Sequence, residues 1–87
     1  MKTVELIAKV DSIKTREDLA EFVECLRENL LEHAADWENV TLENFLDALS
    51  SVIIDMEYMY INRGLIVPEA PNWMLVGEML LSATVYE

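Results

Sequence analysis

Residues 41–62, TLENFLDALSSVIIDMEYMYIN, constrain the fold more than any other part of the chain. The stretch holds no glycine and no proline, and it predicts one long helix over 42–62. Thr41 is the expected N-cap, because its hydroxyl can accept an orphan N–H of the first turn. Asn44 stands where a capping box would carry Glu or Gln, and Val40 with Phe45 takes the two positions of a hydrophobic staple. Glu43 suits the positive end of the helix dipole. Asn62-Arg63-Gly64 supplies the stop signal: a cation, then a residue free to enter the left-handed region.

At about 100° per residue, Leu42, Phe45, Leu46, Leu49, Val52, Ile53, Met56 and Tyr60 share one side, widened by Ala48 and Met59. This is the expected core face, and the helix is expected to be largely buried with the rest of the chain covering it. Ile54, Tyr58 and Ile61, spaced i, i+4, i+7, point away from it. In so small a bundle the simpler expectation is that another helix covers them. The alternative is an apolar strip bare for a partner or a second copy, which would make the chain a self-associating structural protein, a possible homodimer.

The chain has 87 residues, enough for one domain with one core, residues 1–87. Hydrophobic residues make up 53%, which separates it from a disordered acidic tail. Two glycines and two prolines favour few, long elements. The N-terminus, MKTVELIAKVDS, has no uninterrupted apolar core of a signal peptide, and no run approaches a membrane span. The single cysteine, Cys25, leaves no internal disulfide and reads as a packing residue in a reducing compartment. The expected location is cytoplasmic. Six Lys+Arg against 17 Asp+Glu give a net charge of −11. That disfavours nucleic acid and anionic membrane, whose phosphates need cations, and favours a basic protein partner or divalent cations.

Before the long helix, TVELIAKV predicts a short amphipathic helix over 3–11, broken at Asp11-Ser12-Ile13-Lys14. Thr15-Arg16-Glu17-Asp18 is a capping-box variant that opens a second helix over 16–33, with Leu19, Phe22, Val23, Leu26 and Leu30 as its buried stripe. Its opposite side carries Glu17, Glu21, Glu24, Glu28 and Glu32 on one face, with Asp18 beside them and Arg16 and Arg27 off it. Like charges at i,i+4 cost about 0.2–0.5 kcal/mol each. Charge runs are usually a solvated face, but such faces usually alternate in sign and this one does not, so it is a candidate surface for a basic partner. Trp37, in the 33–39 connection, reads as an anchor whose N–H needs an acceptor. Leu65-Ile66-Val67-Pro68 is expected to be extended, within a proline-bearing loop over 64–71. A last helix over 72–85 carries two apolar stripes, Trp73, Val76, Met79, Leu80 and Ala83 with Met74, Leu81 and Val85. It is therefore expected to be deeply packed, with Glu78 and Ser82 marking its wet side.

No catalytic, cofactor or metal constellation stands out. One His without a Glu-x-x-His pair gives no di-iron signature, and one Cys without CxxC gives no zinc signature. His33 reads as a helix-end residue, and Cys25 with His33 has no further sign of nucleophilic chemistry. Gly64 and Gly77 alone cannot build a phosphate loop. Asp11-Ser12-Ile13 ahead of an acidic helix superficially matches the Asp-Ser-Leu serine of acyl carrier proteins. An acyl carrier, however, has a full helix and a long loop before that serine, and here eleven residues precede it.

From Thr15 to Glu87 the chain resembles a family of small acidic bacterial domains of unknown function. The resemblance rests on Thr15-Arg16-Glu17-Asp18-Leu19 with Phe22-Val23, and on Asp36-Trp37-Glu38-Asn39 followed by Thr41-Leu42-Glu43. It continues through Asp55-Met56, Pro68-Glu69 with Pro71 and Trp73, and Leu80-Leu81 with Tyr86-Glu87. It implies a shared fold and no activity. The resembled pattern has Trp, Glu and Gly near Val52, Ile54 and Tyr58, which would make the apolar strip particular to this chain.

The sequence thus predicts an all-α bundle of about four helices. The leading functional expectation is a small acidic non-enzymatic interaction protein. It would be an inhibitor of the immunity or antitoxin type, whose Glu17–Glu32 face covers a basic site by presenting carboxylates where phosphates would lie. Self-association through Ile54, Tyr58 and Ile61 is the alternative. A divalent-cation-dependent enzyme and an acyl-carrier-like protein stand behind both.

Overall fold

A computed structural model describes all residues 1–87 and shows an all-α bundle. The helices are α1 (Thr3–Val10), α2 (Arg16–Glu32), α3 (Leu42–Asn62) and α4 (Trp73–Ala83), with one 3₁₀ turn, Ala34–Asp36, between α2 and α3. Local chemistry sets most of these limits. The Thr15 hydroxyl accepts from Asp18 N–H at 3.1 Å, and the Asp18 carboxylate accepts from Lys14 and Thr15 N–H at 3.0 and 3.2 Å. Thr41 caps α3 through Asn44 N–H at 3.1 Å, and Asn72 caps α4 through Leu75 N–H at 2.8 Å. Gly64, at φ 71°, ends α3. It lets Leu65 N–H return to the Tyr60 carbonyl at 2.8 Å, a conformation that costs a side-chain-bearing residue more.

The hub of the bundle is α4, not the long α3. α4 touches α1, α2 and α3, whereas α3 packs on α4 and on no other helix to a comparable extent. On one side of α4, Leu75 and Ala83 join Ala48, Val52, Met56 and Tyr60 of α3. On the other, Met74, Leu80 and Leu81 pack against Leu6, Val10, Ile13, Phe22 and Leu26. An apolar helix gains from cover on several sides. α3 carries carboxylates on its free side, so burying more than one stripe would strand them away from water.

Several sequence expectations are corrected by this arrangement. α3 is not largely buried: Leu42, Leu46 and Ile53, assigned to the core face, are 73%, 53% and 51% exposed. No helix covers Ile54, Tyr58 or Ile61, which are exposed as well. Val23 stands half out of the α2 stripe and Trp73 half out of α4, and Val85, predicted to lie in the last helix, falls beyond its end and is half exposed. Glu78 does not mark a wet side. Its side chain is only 16% exposed, and it receives the Tyr60 hydroxyl and the Arg63 guanidinium, each at 3.2 Å. α4 is shorter than predicted because its last carbonyls are claimed from outside. Asn39 donates its side-chain N–H to Ala83 and Tyr86 carbonyls at 2.9 and 2.8 Å, and Glu38 and Asn39 N–H reach the Thr84 carbonyl at 3.0 Å.

Two phenols fasten α3 to the C-terminal part of the chain. Tyr60 donates to Glu78, and Tyr86 donates to Asp55. Burial first, and then the Glu78 charge, holds the Tyr60 phenol above the usual tyrosine range. The hydrogen bond to Asp55 does the same for Tyr86. The folded state therefore favours the neutral phenols. Their contribution is whole below the free value of 10.0 and is lost as pH rises through the higher folded values. Melting temperature should fall above that pH in the wild type and fall less in the Tyr60→Phe, Tyr86→Phe double variant. An equal alkaline fall in both would refute the linkage.

Candidate functional site

The acidic face of α2 exists, but its cations temper it. Glu17, Glu21, Glu24, Glu28 and Glu32 are all exposed. Three are paired: Arg16 with Glu17 at 3.0 Å, Lys9 of α1 with Glu21 at 3.3 Å, and Arg27 Nε with Glu24 at 3.0 Å. The sequence places Arg16 and Arg27 off this face, yet their long stems carry the guanidinium groups back to it. Those guanidinium groups hold the Glu17 and Glu24 carboxyls below the ordinary carboxylate range. Asp18 is lowered too, by backbone N–H groups of the cap. Pairs as exposed as these add little to stability, because water screens them. Their effect is on the field: Glu28 and Glu32 are left as the carboxylates with no Lys or Arg within salt-bridge distance.

α3 presents a different surface. Ile54, Tyr58 and Ile61 are 74%, 67% and 57% exposed, and the ridge they form runs on into Leu65 and Ile66, the latter 92% exposed. Ile61, Leu65, Ile66, Val67 and Pro68 with Glu57 enclose a shallow hollow of about 450 Å³. α3 carries Glu43, Asp47, Asp55 and Glu57 and no Lys or Arg, and none of these carboxylates forms an ion pair. The result is an apolar centre with an uncompensated acidic surround, at the edge of the bundle.

A cleft of about 510 Å³ lies between α1 and α3 over α4, lined by Ile7, Met56, Met59, Arg63, Glu78 and Leu81 among others. Two of its polar groups satisfy each other: Arg63 donates to Glu78, which also accepts from Tyr60, and the Arg63 guanidinium lies 4.7 Å over the Tyr60 ring. Cys25 and His33 lie eight positions apart along α2, about 12 Å at 1.5 Å per residue, and do not form a pair. Cys25 packs against the α1–α2 core cluster, and His33 is the C-cap of α2. Ser12 donates its hydroxyl to the Lys9 carbonyl at 2.7 Å, where it helps finish α1. No three His, Cys, Asp or Glu side chains converge as a cation site. No helix is long and apolar enough to cross a membrane.

Sequence reasoning passed over Asn29, the one fully buried amide side chain. It ties three segments together: its Nδ2 donates to the Met1 carbonyl at 2.9 Å and to the Thr3 hydroxyl at 3.3 Å, and its Oδ1 accepts from Trp37 Nε1 at 2.7 Å. The signal was available. Asn29 falls at i+3 from Leu26 and i+7 from Phe22, on the buried stripe, eight residues from a tryptophan in need of an acceptor.

The model of a family of unknown function, DUF7660, matches residues 15–87. No curated protein and no solved structure matches the chain. The matched span omits α1 and holds the residues just described as fold fasteners. Thr15 and Asp18 make the α2 cap, Trp37 meets Asn29, Asn39 closes α4, and Asp55 receives Tyr86.

Proposed function

The chain belongs to that family of unknown function, DUF7660, and from this premise we propose that it is a small acidic interaction protein without catalytic activity. It docks a partner protein on the free side of α3. The observation that supports this is the ridge Ile54–Tyr58–Ile61 with Leu65 and Ile66, bare of any intramolecular cover and surrounded by carboxylates that no cation balances. An apolar centre inside a charged rim is the build of a protein interface. Its complement is an apolar hollow rimmed by Lys and Arg. A second copy of this chain fits less well, because Asp47 and Glu57 would meet their own like charges at −11 net charge per chain. Inhibition of a basic protein, in the manner of an immunity or antitoxin protein, is the use that this chemistry favours. The α2 face then contributes long-range attraction through Glu28 and Glu32 and is not the contact itself.

The test is a photo-crosslinking residue in place of Tyr58, introduced in the native host, with and without Ile54→Glu. One basic protein is expected at that position, weakening as salt rises. Ile54→Glu should reduce its capture at least about 30-fold, as for a hot-spot loss of 2 kcal/mol. Lysine at Glu21, Glu24 and Glu28 should slow association and leave the crosslinked position unchanged. Capture abolished by those lysines but untouched by Ile54→Glu would return the site to α2. Light scattering that shows a dimer dispersed by Ile54→Glu would assign the ridge to a second copy and overturn the partner reading.

A further inference from the structure

α2 and α3 both lean on α4 without closing on each other, and the connection 33–41 bridges the gap at one end. What remains between them is a groove of about 410 Å³. Val23 and Leu30 of α2 form one wall, Leu42 and Phe45 of α3 the other, and Trp37 and Leu80 lie between them. The Trp37 ring stacks on Phe45 with centroids 6.1 Å apart. Almost nothing polar is free in it. The Asn39 amide is spent on the Ala83 and Tyr86 carbonyls, the Thr41 hydroxyl on Asn44 N–H, and Arg27 is tied to Glu24. Whatever fills the groove must be apolar where it touches.

The wall also continues. Leu42, Leu46, Leu49 and Ile53 follow at i, i+4, i+7, i+11, a single stripe about 16 Å long at 1.5 Å per residue. Leu42, Leu46 and Ile53 stand 73%, 53% and 51% exposed along it. These are residues that the sequence pattern assigns to a core and that the chain's own fold leaves uncovered. A stripe three turns long beside an apolar groove matches the contact of one amphipathic helix. The charges select which kind. Glu43, Asp47 and Glu57 lie on α3 with no cation on that helix, and the one guanidinium at the groove is already neutralised by Glu24. A helix with basic flanks is therefore favoured, and an acidic one, including any helix of a second copy, is opposed.

We propose that the groove between α2 and α3 binds a basic amphipathic helix of a partner protein, its apolar side chains laid along Leu42, Leu46 and Ile53 and over Trp37. This rests on the reading of the chain as an interaction protein, but it uses a surface separate from the Ile54–Tyr58–Ile61 ridge.

The probes are three synthetic peptides titrated into the isotope-labelled full chain: a Leu/Lys peptide patterned i, i+3, i+4, i+7, a scrambled Leu/Lys peptide of the same composition, and a Leu/Glu peptide of the same pattern. A Trp73→Phe background leaves Trp37 as the sole indole reporter. The patterned Leu/Lys peptide should shift amides of residues 23–30 and 37–53, change Trp37 emission saturably, and bind at least tenfold more tightly than the scrambled peptide. The Leu/Glu peptide should not bind. Leu46→Lys, at an exposed position that the fold tolerates, should weaken binding at least tenfold. Equal binding of the scrambled peptide, shifts confined to the α2 glutamates or to residues 54–61, indifference to Leu46→Lys, or no binding at all would each overturn the proposal. None of those results abolishes the Tyr58 crosslink, and shifts confined to residues 54–61 would favour the ridge over the groove, so the two readings fail separately.

Discussion

Asn29→Asp is expected to destabilise the fold by about 3 kcal/mol at neutral pH, the range for an uncompensated buried charge. For a domain with about 5–15 kcal/mol of stability in all, that is a large fraction. The geometry gives the reason. An indole N–H can only donate, so the Trp37 bond at 2.7 Å fixes which end of the Asn29 amide is oxygen. The other end must donate, and it does so to the Met1 carbonyl at 2.9 Å. A carboxylate places a second acceptor against that carbonyl, in a site with no solvent exposure. The neutral acid restores a donor, so folding should raise the introduced carboxyl above its free value of about 3.9. The penalty relative to wild type is then small below that pH and grows as pH rises through the folded value. Urea titrations of both proteins at neutral and at acid pH read the gap. A gap that does not narrow on acidification would show that the site is wetter than the structure has it. Asn29→Leu should cost about 1–3 kcal/mol, from the stranded Trp37 and Met1 groups, with no such pH dependence.

Gly77→Leu is expected to cost about 3 kcal/mol or more by overpacking and to loosen α1 first. Gly77 is buried where α4 meets the α1–α2 side of the bundle. A Cβ there would stand 2.5 Å from Ile13 Cδ1 and 3.4 Å from Val10 Cγ2. Alanine tests how narrow the fit is. It regains about 1 kcal/mol of helix propensity, and the atom in its way is the far end of one side chain, so Gly77→Ala should be close to neutral. In an Ile13→Val background, which removes that terminal carbon, the same alanine should stabilise by about 1 kcal/mol. The cycle separates close approach from helix propensity. If leucine at this position left stability within about 0.5 kcal/mol of wild type, α4 would not pack against Ile13 as described.

The candidate surfaces were legible to different degrees. The five glutamates of α2 share a face because helical spacing alone puts them there. That Lys9 would reach Glu21 from another helix was not legible, and that pairing lessens the acidic field of α2. The spacing of Ile54, Tyr58 and Ile61 marked a stripe off the core face, but spacing does not say whether a neighbour exists to cover it. Leu42, Leu46 and Ile53 misled for the same reason. Their periodicity is that of a covered face, and in this fold nothing within the chain covers them.

The sequence by itself determined the helices and all their ends but one, the C-terminal end of α4, where Glu38 and Asn39 take the carbonyls. Thr15, Thr41, Asn72 and Gly64 act within four or five residues of themselves, as a helix's hydrogen-bond ladder does, so no distant element was needed to read them. Only the tertiary structure decided which helix lies at the centre. α3 is the longest and strongly amphipathic, yet the surface that can cover other helices belongs to α4, apolar nearly all round and thinned at Gly77 to admit Ile13. Which faces are buried depends on how the elements share that one short helix, and with α4 occupied from three sides, the outer faces of α3 are left to water or to a partner.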